Sequence, residues 1–182
     1  MDLILYINKD SVQIQSSWAS ACSFNLTDTF NMKNALIELE INEVLDLTVV
    51  NQDTLEHTFT IDGVLESGNT IAALDTAQFS TSFSQSGTYR YYSNKSYGHM
   101  IGASGIVLVG YSQSNCFFWN LFEIDRELSN ELARLEVSTL PIDFQPENFF
   151  INGAYFPNTV DDPDAYVEVQ LGDTIIISLS LI

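Results

Sequence analysis

Ala35-Leu36-Ile37-Glu38-Leu39-Glu40-Ile41 alternates apolar and polar side chains, and after Asn42-Glu43 the alternation resumes in Val44-Leu45-Asp46-Leu47-Thr48-Val49-Val50. A period of two sends successive side chains to opposite faces of an extended chain, one towards a core and one towards water. The pattern predicts two strands joined by a short turn. Asn51-Gln52-Asp53 marks the next turn, and His57-Thr58-Phe59-Thr60-Ile61-Asp62-Gly63 reads as another strand. Ala77 to Phe83, Thr88 to Tyr92 after a turn at Gly87, and Gly105 to Val109 follow in the same style. Short strands separated by turn residues predict an all-β sandwich.

The opening stretch then recurs. Ala165-Tyr166-Val167-Glu168-Val169-Gln170-Leu171-Gly172-Asp173 aligns with Ala35 to Glu43 at an offset of 130, and Thr174-Ile175-Ile176-Ile177-Ser178-Leu179 follows as Val44 to Val50 did. Repeated architecture at domain-length spacing predicts a second unit of the same kind. Only about 34 residues follow Asn148, too few to bury a core of their own. Between the copies, Phe118, Leu121, Ile124, Leu128, Leu132 and Leu135 fall at steps of three and four, predicting a helix over Phe117 to Glu136. A linker with Pro141 and Pro146 comes next. The expected division is 1–111 for the sandwich, 112–147 for helix and linker, and 148–182 for the incomplete start of a second sandwich.

Composition narrows the partners. With 46% hydrophobic and 16% charged residues among 182, the chain is a packed protein. Six basic against 24 acidic residues give a net charge of −18, which repels nucleic-acid backbones. No run of 18 apolar residues predicts a membrane-spanning helix. Met1 to Ile7 lacks the basic start and long apolar core of a signal peptide. Cys22 and Cys116 either form one bridge or sit as small buried thiols.

Three stretches carry a resemblance to the multicopper oxidase and copper nitrite reductase family, whose members string cupredoxin domains together. Val49 to Phe59 is similar to the family's strand, Asn-rich turn and copper-binding histidine. Gly87-Thr88-Tyr89-Arg90-Tyr91-Tyr92-Ser93 leads through His99 to Gly102-Ala103-Ser104-Gly105 and the strand after it. Phe149-Phe150-Ile151-Asn152-Gly153-Ala154-Tyr155-Phe156-Pro157, with Leu171-Gly172-Asp173-Thr174, resembles the opening of a following domain. The resemblance implies a cupredoxin-like Greek-key β-sandwich with one linker helix and the first strands of a second such domain. It also implies a periplasmic or secreted protein whose leader is absent from this chain.

The chemistry transfers less completely. A blue-copper site takes two imidazoles, a thiolate and a weak axial methionine. By the resemblance His57 and His99 stand at the imidazole positions, but Ser93 and Asn94 stand where the cysteine is expected, and Ala103 near the methionine. Met100 adjoins His99, and alternation aims it the other way. No His-x-His pair exists for a trinuclear site. Asp62 lies where nitrite reductases place a further copper histidine and reads as a strand-end aspartate. Two readings of the histidines stand: hydrogen-bonded and metal-free, or a weak Cu(II) or Zn(II) site with Asp62 or Met100.

Asp161-Asp162-Pro163-Asp164 lacks calcium-loop spacing and reads as a solvated turn. Tyr89, Tyr91, Tyr92 and Tyr97 read as packing rather than a binding surface. No nucleophile elbow is present, since Gly102-Ala103-Ser104-Gly105 is one residue short of it. The expected function is a multicopper-oxidase-like domain, non-catalytic on its own, without a cofactor unless copper binds weakly. The alternatives are one part of a copper-dependent oxidase or nitrite reductase, and a weak copper-binding module using His57 and His99. Residues 149–182, a hydrophobic strand pair without a sheet to join, are expected to hold a homo-oligomer.

Overall fold

Alternation built the first layers where the sequence placed them. The structure, a computed structural model, describes residues 1–66, 70–111, 116–134, 145–155 and 167–181. The first sheet runs β2-β1-β4-β8, from β1 (Asp2–Ile14), β2 (Ser17–Asn25), β4 (Val44–Asn51) and β8 (Thr76–Ser82). The second runs β3-β10-β9-β6, from β3 (Leu36–Leu39), β6 (Thr60–Ile61), β9 (Gly87–Tyr92) and β10 (Ser104–Val109). Two short strands, β5 (His57–Thr58) and β7 (Thr70–Ile71), pair at one end. β1 with β4 and β3 with β10 are parallel pairs, so the sandwich is mixed rather than wholly antiparallel.

Leu45, Leu47 and Val49 of β4 are at most 2% exposed and point into the space between the layers. Leu5, Ile7, Phe24, Ile37, Phe59, Ile61 and Val107 meet them there. Each large apolar side chain so buried contributes roughly 1.5–3 kcal/mol. Tyr91 lies at the centre, stacked on Phe59 at 5.2 Å and edge-on to Phe24 at 5.3 Å, with its hydroxyl donating to the Ala35 carbonyl. Gly105 faces that ring across β10, and a Cβ there would overlap it. The expected packing role holds for Tyr89, Tyr91 and Tyr97, which join this core, while the Tyr92 hydroxyl is bonded to the exposed Asp62.

The predicted helix over Phe117 to Glu136 is shorter. Its first half is a strand, β11 (Cys116–Ile124), and only α1 (Arg126–Ala133) is helical. Asp125 starts the helix by accepting the Leu128 N–H at 3.1 Å. Leu128 and Leu132, from the expected stripe, are buried in the sandwich core. α1 lies on β2, where Asn130 Oδ1 accepts the Ser20 N–H at 2.8 Å and its hydroxyl at 2.9 Å. Leu135 lies outside the described residues.

β11 is central to a third sheet, β13-β12-β11-β14, completed by β12 (Asn148–Ile151), β13 (Ala154–Tyr155) and β14 (Ile176–Leu181). The strand pair expected at 167–179 is therefore replaced: residues 167–170 are not a strand, and β14 pairs in parallel with β11. The repeat is structural as well as sequential. Asp2 to Ile7 pair with Asp46 to Asn51, and Cys116 to Leu121 pair with Ile176 to Leu181, in the same parallel sense. At the preceding turns the Glu40 N–H donates to Glu43 Oε2 and the Gln170 N–H to Asp173 Oδ2, both at 2.9 Å. Asn42 and Gly172 take the left-handed backbone there, at φ 64° and 103°. Phe122, Ile124 and Phe150 pack one face of this sheet against Ile14 and Ala19 of the first. Cys22 and Cys116 are free, buried thiols rather than a bridge.

Candidate functional site

Asn51 shapes the loop that carries the first histidine. Its side chain donates to the carbonyls of Leu55 at 2.8 Å and Ala72 at 2.9 Å, and accepts the Asp53 N–H at 2.9 Å. This folds Asp53 back beneath β5, four residues before His57 in sequence. The His57 ring is 1% exposed and partnered on both sides. Nε2 lies 3.0 Å from Asp53 Oδ2, and Nδ1 lies 3.0 Å from Ser93 Oγ.

Proton positions follow from the partners. The Asp53 carboxylate only accepts, so Nε2 carries a hydrogen. The Ser93 hydroxyl lies against Nδ1 and within 3.4 Å of the Lys95 carbonyl, while its oxygen accepts the Thr58 N–H at 3.1 Å. Asp53 also accepts from the Thr54 N–H at 2.6 Å and forms an ion pair with Lys9. Burial pushes the Asp53 carboxyl up. The hydrogen bonds from His57 and Lys9, with the Lys9 charge, outweigh that and hold it down at about 2.

His99 sits on the kinked 3₁₀ segment Lys95–Ile101, where Ser96 and Tyr97 hold left-handed φ of 50° and 54°. Its Nδ1 donates to the Ser93 carbonyl at 3.0 Å, and its own N–H donates to the same oxygen at 2.8 Å. Partial burial lowers its pKa. Ser93 thus joins both histidines, one through its hydroxyl and one through its carbonyl. Met100 packs against the core, and Asp62 is exposed and bonded to the Tyr92 hydroxyl at 3.0 Å. Neither joins His57. Asp161, Asp162 and Asp164 lie outside the described residues.

The family resemblance implies copper at this end of the sandwich, and the donor set present does not match that of a blue-copper site. The tetrahedral geometry of an ion bonded at about 2.0–2.1 Å would hold its donors roughly 3.3 Å apart. Here Ser93 Oγ touches His57 Nδ1 at a hydrogen-bond distance of 3.0 Å. Gly98 runs close to this pair, since a Cβ on it would lie 3.0 Å from His57 Nδ1 and 3.1 Å from Ser93 Oγ, so a side chain at position 98 would crowd both. A hydroxyl also lacks the soft sulfur that such sites need. Among the described residues no group of three or more His, Cys, Asp or Glu is placed to hold a metal.

Ser93, His57 and Asp53 do stand in the order of an acyl-transfer triad. Ser93 is 0% exposed, however, and its hydroxyl is committed between a ring nitrogen and a backbone amide. No substrate carbonyl reaches it, so the constellation is structural. A cleft of about 620 Å³ lies elsewhere, between the Asn25–Leu36 segment and β11, and none of these three residues lines it.

No protein-family profile matches the sequence, and no curated protein matches it. Solved structures do match in fold. A blue copper oxidase from Nitrosomonas europaea superposes with a TM-score of 0.72 at 18% identity, covering 100% of this chain and 60% of that one. A copper nitrite reductase from the same organism gives 0.69 at 13%, covering 100% and 68%. The multicopper oxidase mgLAC gives 0.68 at 16%, covering 86% and 54%. The chain spans 54–68% of the length of these proteins. The likeness establishes a cupredoxin-like fold of the kind found in multicopper oxidases and copper nitrite reductases. No described helix is long and apolar enough to cross a membrane.

Proposed function

We propose that the chain comprises a redox-silent cupredoxin-like domain over 1–111 and, beyond the helix, the opening of a second such domain in a multicopper-oxidase-like protein. β11 is the strand that this second unit takes from the stretch before residue 148. The observation that carries the proposal is Ser93, which stands at the thiolate position and is hydrogen-bonded to His57 in place of a metal. The first domain then packs and shapes, and any oxidase chemistry of the whole protein belongs to domains outside 1–111. Copper loading tests this. The expected outcome is no intense thiolate-to-copper absorption and no Cu(II) resonance with coupling to two imidazoles. A blue band, or Cu(II) bound through His57 and His99, would overturn it.

The third sheet supports an oligomer. Phe117 and Trp119 share a face with Ile177 and Leu179, which are 45% and 57% exposed, and Phe149 on β12 is 62% exposed. Such a face invites a second copy of this chain, associated partly through residues 149–182. Light scattering on the chain, with and without those residues, distinguishes this from a monomer. We further propose a periplasmic or secreted location, which the multicopper-oxidase-like assignment supports and fractionation of producing cells tests.

A further inference from the structure

The buried polar chain does not stop at Asp53. Lys9, on β1, pairs with Asp53 Oδ1 and also donates to the carbonyl of Ala133 at 3.3 Å. Ala133 is the last helical residue of α1, where carbonyls lack partners within the helix and the helix dipole favours a cation. From Ala133 the connections run through Lys9, Asp53, His57 and Ser93 to His99. They touch β1, the loop after β4, β5, the end of β9, the segment of His99 and α1. Lys9 is partly buried, with 20% side-chain exposure, and Asp53 has 2%. A charge-assisted bond shielded from water is stronger than one at the surface.

We propose that this chain of bonds replaces a metal as the clamp on the histidine end of the sandwich, and that through Lys9 it extends the clamp to α1. The proposal rests on the metal-free assignment of Ser93. A metal at that end would gather only the elements carrying its ligands. The polar chain gathers those and adds the helix that follows β11 of the third sheet, so disturbance at Ser93 is felt at α1. Lys9 acts here as a positioning residue, joining a helix end to a buried carboxylate.

Hydrogen exchange on the full chain tests it, with Lys9→Met and Ser93→Ala compared singly and together. In Lys9→Met, exchange at residues 126–133 should accelerate about tenfold or more, the scale of one lost bond to a charged group. Ser93→Ala should accelerate the same helix although it does not touch it, and the double variant should add less than the sum of the two. Lys9→Arg, which keeps the charge, should restore most of the protection. If Lys9→Met does not fold, Lys9→Gln is read in its place against Lys9→Arg. Unchanged exchange at 126–133 in the Lys9 variants, or strict additivity in the double variant, overturns the clamp and leaves the metal-free assignment intact. Copper uptake with a blue band overturns that assignment and the clamp with it.

Discussion

The first and third sheets are the same local construction in two environments. In both, a long central strand takes an antiparallel neighbour on one side and a parallel one on the other, after a turn with matching hydrogen bonds. On β4, Leu47 and Val49 are 2% and 0% exposed. Their counterparts on β14, Ile177 and Leu179, are 45% and 57% exposed. β4 also has β8 on its far side, whereas β14 is the edge of its sheet among the described residues. Strand identity and register are therefore local properties of the alternating pattern, while burial is conferred by the layer opposite. The functional end differs too. Lys9 of β1 corresponds to Glu123 of β11, so the third sheet repeats the architecture without the cation that anchors Asp53.

The comparison breaks most visibly under truncation of matched side chains. In dilute protein, Leu47→Ala should cost about 2–5 kcal/mol, the cost of a cavity in a closed core. Its counterpart Ile177→Ala should stay within about 0.5 kcal/mol, as surface substitutions do. Equal losses in denaturant titrations would mean that the third sheet is as enclosed as the first.

A smaller effect sharpens the electrostatic difference. The folded-state pKa of Asp53, about 2, lies below its ordinary value near 3.9. A depressed carboxylate contributes stability above its unfolded pKa and loses it as pH falls through the folded one. The loss should therefore run from about pH 5 to below pH 2 and amount to about 2–3 kcal/mol. Asp53→Asn should lower stability at neutral pH and flatten that acid limb. A variant as acid-sensitive as the parent chain would assign the limb to other carboxylates.

Most of the strands legible in sequence have one wet face. β3, β4, β8 and β9 alternate, whereas β10, buried at every position, is legible as a short apolar run after Gly105. The Ala35 repeat predicted β14 and the turn before it, but not its parallel pairing with β11. β11 was misread because both of its faces are apolar, one against Ile14 and Ala19 and the other sharing a face with Ile177 and Leu179. A strand apolar on both sides shows no period of two. Its Phe118, Leu121 and Ile124 then mimic a helical stripe continued by the true helix at Leu128. At the site, His57, Ser93 and His99 were visible through the family resemblance. Asp53 stood in the quoted Asn-rich turn, but its role depends on the loop fold imposed by Asn51. Lys9 was beyond reach, because β1 itself was not recognised and the ion pair spans separate elements.

The parallel pairings also set the order in which the chain can fold. β1 and β2 close locally as a hairpin, but β1 needs Asp46 to Asn51 before its other edge is satisfied. β3 waits longer, since Leu36 finds its parallel partner only when Ile106 arrives. Closing such long loops must come before most of the contacts that reward it, which places folding in the slow, millisecond-to-second range of sandwiches. On the ribosome, the second layer stays open until β10 has emerged, and the apolar face of β4 is meanwhile exposed to any other nascent strand nearby.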